Sequence, residues 1–156
     1  MTYAVQLVEV RSQPAAVVRA HVRPEDIAGF LGGAFAEVMT VLGHQGLSPT
    51  GPPFSRYVVS KGGFEVETGF PASRAVEASG RVVPSELPAG TAATTVHSGA
   101  YEQVGGAYSA ATTWLADHRF VASGPPWESY LDGPDVAEPR TEVFVPCRPE
   151  ASEDGG

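Results

Sequence analysis

One motif occurs twice in the chain, as Gly51-Pro52-Pro53-Phe54-Ser55-Arg56-Tyr57 and as Gly124-Pro125-Pro126-Trp127-Glu128-Ser129-Tyr130. A glycine, two prolines, an aromatic residue and a tyrosine hold the same places in both copies. Each copy follows an apolar strand pattern and a helical pattern, and each precedes a strand pattern that holds Glu-Val, at Glu65-Val66 and Glu142-Val143. The sequence therefore predicts one β-α-β-β unit used twice.

The periodicity of apolar residues places the elements of both units. Alternation and β-branched runs bounded by Gly and Pro predict strands, whereas apolar residues at three- and four-residue steps predict helices. The predicted strands span residues 3–11, 15–22, 54–60, 64–70, 81–87, 91–97, 126–131 and 141–146, and the predicted helices span 24–42 and 101–115. The first helix contains Gly29, Gly32 and Gly33, for which we predict close packing against a sheet, with a ligand near bare backbone as the alternative.

These elements predict an α+β fold made of duplicated β-α-β-β halves about a pseudo-twofold axis. Each half needs a partner to bury its sheet face, so we expect an antiparallel sheet with two helices on one side and a central ligand cleft. With 156 residues and 42% hydrophobic residues the chain fits one domain. We predict that residues 1–147 form this domain and that residues 148–156 are a disordered tail.

The two motif copies place different side chains at equivalent positions. Strand alternation puts Ser55 and Tyr57 on one face, and Glu128 and Tyr130 on the equivalent face of the other copy. If these faces line the cleft, a carboxylate lies there among aromatic rings, which suits a planar cationic ligand. The alternative is that Glu128 lies on a solvated strand edge and that the two tyrosines are ordinary strand residues.

Composition excludes several other classes of function. Ten basic against 18 acidic residues give a formal charge of −8, which disfavours direct binding of nucleic acid. The only cysteine, Cys147, allows no internal disulfide and fits a reducing cytoplasm, as a structural or surface thiol. The residue pattern indicates neither a secretory signal nor a membrane span, so we expect a cytoplasmic protein. The four histidines lack metal-ligand spacing and no nucleotide motif occurs, so we expect neither a metal nor a cofactor.

Several ordered motifs together resemble the GyrI-like small-molecule-binding family, which also provides the effector-binding domain of multidrug-sensing transcription activators. The resemblance covers about residues 4–147 and is carried by Leu87-Pro88-Ala89-Gly90, His97-Ser98-Gly99-Ala100-Tyr101-Glu102, Trp114, the second motif copy and Thr141-Glu142-Val143-Phe144-Val145-Pro146. It implies a cleft that binds lipophilic, often cationic compounds. It also implies that Glu128 is the cleft glutamate and that Tyr130 and Trp127 are its aromatic partners.

Three functions follow from these observations. The first is a stand-alone binding protein that captures lipophilic aromatic or cationic drugs or toxins, with Glu128, Tyr130, Ser55, Tyr57, Phe70, Trp127 and Tyr101 as ligand-binding residues. The second is a cofactor-independent hydrolase of strained cyclopropanoid genotoxins, an activity that the resemblance implies for some members, with Glu128 and Tyr130 as catalytic residues. The third is a module that binds a protein partner such as DNA gyrase or a regulator.

Overall fold

A computed structural model describes residues 3–133 and 135–151 of the chain. The chain divides into two compact units. We call Arg11–Ala89 the serine unit, after Ser55, and we call Met1–Val10 with Gly90–Gly156 the glutamate unit, after Glu128. The elements are β1 (Gln6–Val10), β2 (Gln13–Val22), α1 (Ile27–His44), β3 (Phe54–Ser60), β4 (Gly63–Pro71), β5 (Val82–Leu87), β6 (Gly90–Ser98), α2 (Gly105–Asp117), β7 (Phe120–Ala122), β8 (Trp127–Tyr130) and β9 (Arg140–Pro149). Short 3-10 turns, Pro24–Asp26 and Tyr101–Gln103, precede the two helices.

In the serine unit the strand order is β3-β4-β2-β5, and all neighbouring strands are antiparallel. One face of this sheet packs against α1, because apolar side chains recur along the helix at three- and four-residue steps. The core that results is a single cluster of buried side chains: Ala16, Val18, Ala34, Val38, Leu42, Leu47, Ala72, Val76 and Val82.

The glutamate unit repeats that arrangement with a different chain order. Its strand order is β8-β9-β6-β1, and neighbouring strands are again antiparallel. The short strand β7 pairs with the C-terminal end of β9. Thus β1 takes the place that β5 has in the serine unit, although it comes from the start of the chain. The helix α2 packs against a buried cluster that comprises Ala93, Ala107, Ala111, Leu115, Val143, Val145 and Cys147.

The predicted duplication of a β-α-β-β unit is confirmed, since β2-α1-β3-β4 and β6-α2-β8-β9 share element order and strand pairing. The α+β fold with an antiparallel sheet and two helices is confirmed as well. The short β7 was not predicted, because three residues carry too little alternation to stand out. The last strand continues to Pro149, beyond its predicted end, and residues 152–156 of the predicted tail lie outside the described residues.

The strand registers correct the predicted pairing of the two Glu-Val sequences. Glu142 lies opposite Ser129 of the neighbouring motif strand, and the residue in the equivalent place opposite Arg56 is Glu67. Glu67 of the serine unit is therefore the counterpart of Glu142 in the glutamate unit. Glu65 lies two residues before Glu67, on the same face of β4. The segment that joins the motif strand to the next strand is longer in the glutamate unit, and only the strand registers decide which glutamate of β4 matches Glu142.

The glycines of α1 also differ from the prediction. An added Cβ at Gly29, Gly32 or Gly33 would meet no atom within 4 Å, so close packing does not explain these three residues. The segment Pro24–His44 is also the one described helical stretch that is long and apolar enough to cross a membrane by length and composition. In the structure Ala34, Val38 and Leu42 of this segment are buried in the core of the serine unit.

Candidate binding site at Glu128

The motif strand β8 presents Glu128 and Tyr130 to the side of the sheet that α2 covers. Glu128 lies opposite Val143, and Tyr130 lies opposite Thr141. Since directly opposed residues of antiparallel strands project to the same face, both side chains share the face on which Val143 packs in the α2 core. The strand alternation predicted for this pair is therefore confirmed.

Glu128 lies in a network of phenols. Only 6% of Glu128 is exposed. Its Oε1 atom accepts a hydrogen bond of 2.9 Å from the hydroxyl of Tyr130, and its Oε2 atom accepts one of 3.2 Å from the hydroxyl of Tyr108 on α2. Because a buried carboxylate is costly without hydrogen bonds, these two donors help to hold the acid at this depth. The alternative that Glu128 lies on a solvated strand edge is wrong.

A third ring extends the network toward solvent. The ring of Tyr101 meets that of Tyr130 edge-on, with centroids 6.0 Å apart, and its hydroxyl donates to the backbone oxygen of Asp132 at 3.2 Å. Burial raises the pKa of Tyr101, and the negative charges of Asp132 and Asp135 add to that effect. Tyr101 therefore keeps its proton and acts as a neutral donor beside Tyr130.

One buried hydroxyl on the same face lacks a partner. Thr141 is fully buried and lies between Tyr130 of β8 and His97 of β6 in the strand registers. Among the described residues its Oγ1 atom is the one buried side-chain oxygen or nitrogen with no hydrogen bond. A buried hydroxyl without a hydrogen-bond partner is rare in folded proteins and costs stability.

Three of the predicted residues, Ser55, Tyr57 and Phe70, lie in the serine unit. Ser55 and Tyr57 share the α1 side of that sheet, as alternation predicts, since they lie opposite Thr68 and Val66. Ser55 is fully buried and bonds the hydroxyl of Thr68 at 3.0 Å. Two aromatic contacts lie on the same side: Tyr57 meets Phe64 edge-on, and Phe70 meets Phe35 in the same manner, with centroids 5.9 and 5.8 Å apart. The cleft predicted between the halves stays a prediction.

Trp127 does not share a face with Glu128. It lies opposite Phe144, and the two rings stack with centroids 5.1 Å apart on the side of the sheet away from α2. Neighbouring residues of a strand project to opposite faces, so Trp127 cannot line the same face as Glu128 and Tyr130. The structure therefore separates Trp127 from the group that Glu128, Tyr130 and Tyr101 form.

Sequence reasoning missed Tyr108 as a site residue. Its position on the apolar stripe of α2 indicated a core residue, and nothing in the local sequence links it to Glu128. The signal that could have found it is the spacing of Tyr101 and Tyr108, which are seven residues apart and share one face of the predicted helix 101–115. In the structure Tyr101 lies in the 3-10 turn that precedes α2. A phenol at a half-buried position of that stripe needs a hydrogen-bond partner.

The other groups considered for chemistry have structural surroundings. Within residues 3–133 and 135–151, no three His, Cys, Asp or Glu side chains come together as a metal site would require. The Nε2 atom of His97 is 2.9 Å from the oxygen of Ala100, and its Nδ1 atom is 2.8 Å from the hydroxyl of Tyr3. Nε2 therefore donates and Nδ1 accepts. Cys147 is buried, and burial raises the pKa of its thiol, which keeps it protonated and unreactive.

The strand pairing defines the chain as a duplicated α+β domain that gathers an acid and three phenols in one of its two copies. The sequence model of the GyrI-like small molecule binding domain matches residues 3–148. The chain belongs to the GyrI-like family.

Solved structures share the fold of the chain. The chain is similar to EcmrR in the "Cryo-EM structure of EcmrR-DNA complex in EcmrR-RPo", with a TM-score of 0.83 and 25% identity over 94% of this chain and 58% of that one. It is also similar to the EcmrR C-terminal domain, with a TM-score of 0.83 and 24% identity over 96% and 99% of the two chains. SAV2435 bound to tetraphenylphosphonium shares the fold, with a TM-score of 0.65 and 16% identity over 95% and 94%. No curated protein matches the chain.

Proposed function

We propose that this protein captures lipophilic aromatic or cationic compounds, such as drugs or toxins, at Glu128. The observation that carries the proposal is the hydrogen bonding of one buried carboxylate to two phenols, with a third ring beside them. A carboxylate supplies the counter-charge for a cation, and aromatic rings attract the cation and pack against its apolar body. The single free thiol, Cys147, suits action in a reducing cytoplasm.

The low dielectric constant around buried Glu128 favours a cationic ligand over an anionic one. Because Glu128 is removed from bulk water, its charge is screened less than that of a surface acid, and an anion of the same shape is repelled. The hydroxyl of Thr141 adds a polar contact for ligands that carry a hydrogen-bonding group. Family membership and the fold of the tetraphenylphosphonium-bound SAV2435 are consistent with this class of ligand.

Calorimetric titration with tetraphenylphosphonium tests the proposal, and tetraphenylborate serves as the anion of the same shape. The wild-type protein is expected to bind the cation and not the borate. Glu128→Gln keeps the size of the side chain but removes its charge, and should weaken cation binding by about tenfold or more, which is about 1.4 kcal/mol. Glu65→Gln, at an exposed glutamate, is the matched control and should bind normally. Equal binding of both ions, or undiminished binding by Glu128→Gln, would contradict the proposal.

Hydrolysis of strained rings is a second candidate, favoured by the 2.9 Å distance between Glu128 Oε1 and the hydroxyl of Tyr130. An acceptor and a donor at that spacing can act on one substrate. Glu128 would take a proton from water as the water oxygen bonds to a cyclopropane carbon. The electron pair of the broken C–C bond would move onto a conjugated carbonyl oxygen, which Tyr130 would stabilise by donating a hydrogen bond. The proton held by Glu128 would then pass to the product, which restores the carboxylate.

Chromatography of a cyclopropane-bearing electrophile after incubation with the protein separates the two candidates. Hydrolysis predicts a ring-opened product that carries one added water and that Glu128→Gln and Tyr130→Phe both suppress. Capture predicts binding by the wild-type protein with ring opening no faster than in buffer. Product formation that both substitutions leave unchanged would exclude Glu128 and Tyr130 as its source.

A further inference from the structure

A second acid lies on the opposite side of the glutamate unit's sheet, away from α2. Glu142 projects to that side because it alternates with Val143, which packs in the α2 core. It lies at a cavity of about 350 Å³ that Ala4, Val5, Gln6, Thr94, Thr95 and Val96 also line. Cavities that bind small molecules begin at about 300 Å³, so this one has room for a small ligand. The cavity and Glu142 belong to a single unit and share no residue with the Glu128 network.

The serine unit shows what surrounds the equivalent acid when its charge is neutralised. Glu67 has Arg19 on one neighbouring strand and Arg56 on the other. Arg19 donates to Glu67 Oε2 at 2.8 Å, and Arg56 forms an ion pair with Oε1. Ser85 adds a hydrogen bond of 2.8 Å to Oε1. Two guanidinium groups therefore occupy the surroundings of this carboxylate.

Both arginines are replaced in the glutamate unit. The strand registers place Val96 and Ser129 opposite Glu142, where the serine unit has Arg19 and Arg56 opposite Glu67. Val96 is much shorter than an arginine, and it lines the cavity. The cavity thus lies where the duplicated fold accommodates a guanidinium side chain in its other copy.

The charge of Glu142 is not balanced by a basic side chain of the described residues. Its Oε2 atom accepts a hydrogen bond of 2.9 Å from Thr94 Oγ1, and no described Lys, Arg or His lies within ion-pair distance of the carboxylate. A half-buried carboxylate with one neutral donor attracts a cation. Planar guanidinium is the group that best matches two carboxylate oxygens.

We propose that Glu142 and Thr94 form a second binding site, which takes the guanidinium group of a small alkylguanidine in the place that Arg19 fills beside Glu67. The alkyl part of the ligand packs against Val96 and against Ala4 and Val5, which precede β1. This site is distinct from the one at Glu128, so the two proposals fail independently.

The test is an amide-resolved NMR titration with butylguanidinium, and neutral butylurea is the matched compound. Butylguanidinium is expected to shift the amide signals of Gln6, Thr94 and Val96, whereas butylurea is not. Glu142→Gln should weaken binding by at least about tenfold. Glu102→Gln removes an exposed charge outside the cavity and should bind as the wild type does.

A second variant makes the test independent of the stability of Glu142→Gln. Val96→Arg copies the serine unit, so its own guanidinium should occupy the cavity and abolish the shifts while the fold is retained. Glu128→Gln should bind butylguanidinium normally, which separates this site from the other. Equal shifts with butylurea, undiminished binding by Glu142→Gln or Val96→Arg, or no shifts at all in the wild-type protein would each overturn the proposal.

Discussion

The serine unit and the glutamate unit use the same strand order but treat their polar groups in opposite ways. In the serine unit Ser55 bonds Thr68, and Glu67 is bound by two arginines and Ser85. In the glutamate unit the positions of Ser55 and of the two arginines hold Glu128, Val96 and Ser129. The two units thus share their strand pairing but differ in the partners of their polar side chains. The serine unit pairs its acid Glu67 with arginines, whereas the glutamate unit bonds Glu128 to two phenols and leaves the hydroxyl of Thr141 without a hydrogen bond.

The difference predicts how each unit responds to substitution. Changes at equivalent positions of the serine unit should reduce stability, because its side chains bond one another. Changes in the glutamate unit should alter binding, and at one position they should raise stability.

The largest expected effect is at Gly69, whose counterpart opposite the motif aromatic is Phe144 in the glutamate unit. An added Cβ at Gly69 would lie 1.9 Å from the oxygen of Ala16 on β2. Gly69→Ala must therefore displace backbone and should reduce the free energy of unfolding by about 3 kcal/mol. Urea unfolding followed by circular dichroism measures this loss.

Gly124→Ala in the glutamate unit is the control, since its Cβ would meet only Pro146 at 3.8 Å. It should leave the unfolding midpoint nearly unchanged. If Gly69→Ala were as stable as Gly124→Ala, the close approach of β2 and β4 would not constrain the fold.

The second largest effect on the free energy of unfolding is expected at Glu67, whose charge is balanced by Arg19 and Arg56. Burial alone would raise the pKa of Glu67, but hydrogen bonds from Arg19 and Ser85 and the charge of Arg56 outweigh it, and the pKa lies below the ordinary value of 4.5. A lowered native pKa means that ionised Glu67 stabilises the fold above pH 4.5, and that this contribution is lost as the pH falls through the native pKa. Glu67→Gln should lower the free energy of unfolding at pH 7 by about 2 kcal/mol.

Urea unfolding at several pH values checks both parts of this prediction. Glu67→Gln should also lose stability less steeply than the wild type below pH 4.5, because the titrating group is gone. Glu65→Gln removes an acid from the same face at a site with 58% of its side chain exposed, and should cost little at pH 7. An unchanged slope in Glu67→Gln would show that Glu67 contributes nothing to acid unfolding.

A smaller effect of opposite sign is expected at Thr141. Its counterpart in the serine unit is Val66, since each lies opposite the tyrosine of its motif copy. Thr141→Val removes a buried hydroxyl without a hydrogen bond and keeps the shape, so the ligand-free protein should gain about 1 kcal/mol. The reverse exchange, Val66→Thr, should destabilise the serine unit. Calorimetric melting of both variants measures these changes, and a lower melting temperature for Thr141→Val would contradict the assignment.

The smallest effect is expected on the open side of α1. An added Cβ at Gly33 meets no atom within 4 Å, so Gly33→Ala should gain helix propensity without strain, about 0.5 to 1 kcal/mol. Thermal unfolding measures the gain. Ala36→Gly at an exposed position of the same helix is the reverse control and should lose a similar amount. A loss of stability in Gly33→Ala would mean that the backbone of α1 has to remain bare.

The predicted elements were largely correct because strand and helix patterns are local and because the repeat doubled the information. For Trp127, the resemblance and the strand alternation led to different predictions. The resemblance placed it beside Glu128, although strand alternation forbids two neighbouring residues from sharing a face. The prediction that the glycines of α1 pack closely against a sheet was wrong for another reason. The sequence does not show whether the backbone at a glycine faces a sheet or open space.

The sequence by itself determined that one β-α-β-β unit is used twice and that Glu128 and Tyr130 share a strand face, because both follow from a repeat and from a period of two residues. The tertiary structure alone decided that Tyr108 of α2 donates to Glu128, and that Glu67 meets two arginines where Glu142 meets a valine and a serine. Those contacts join residues of different elements, and their partners are set by strand register and helix packing, which no local pattern specifies.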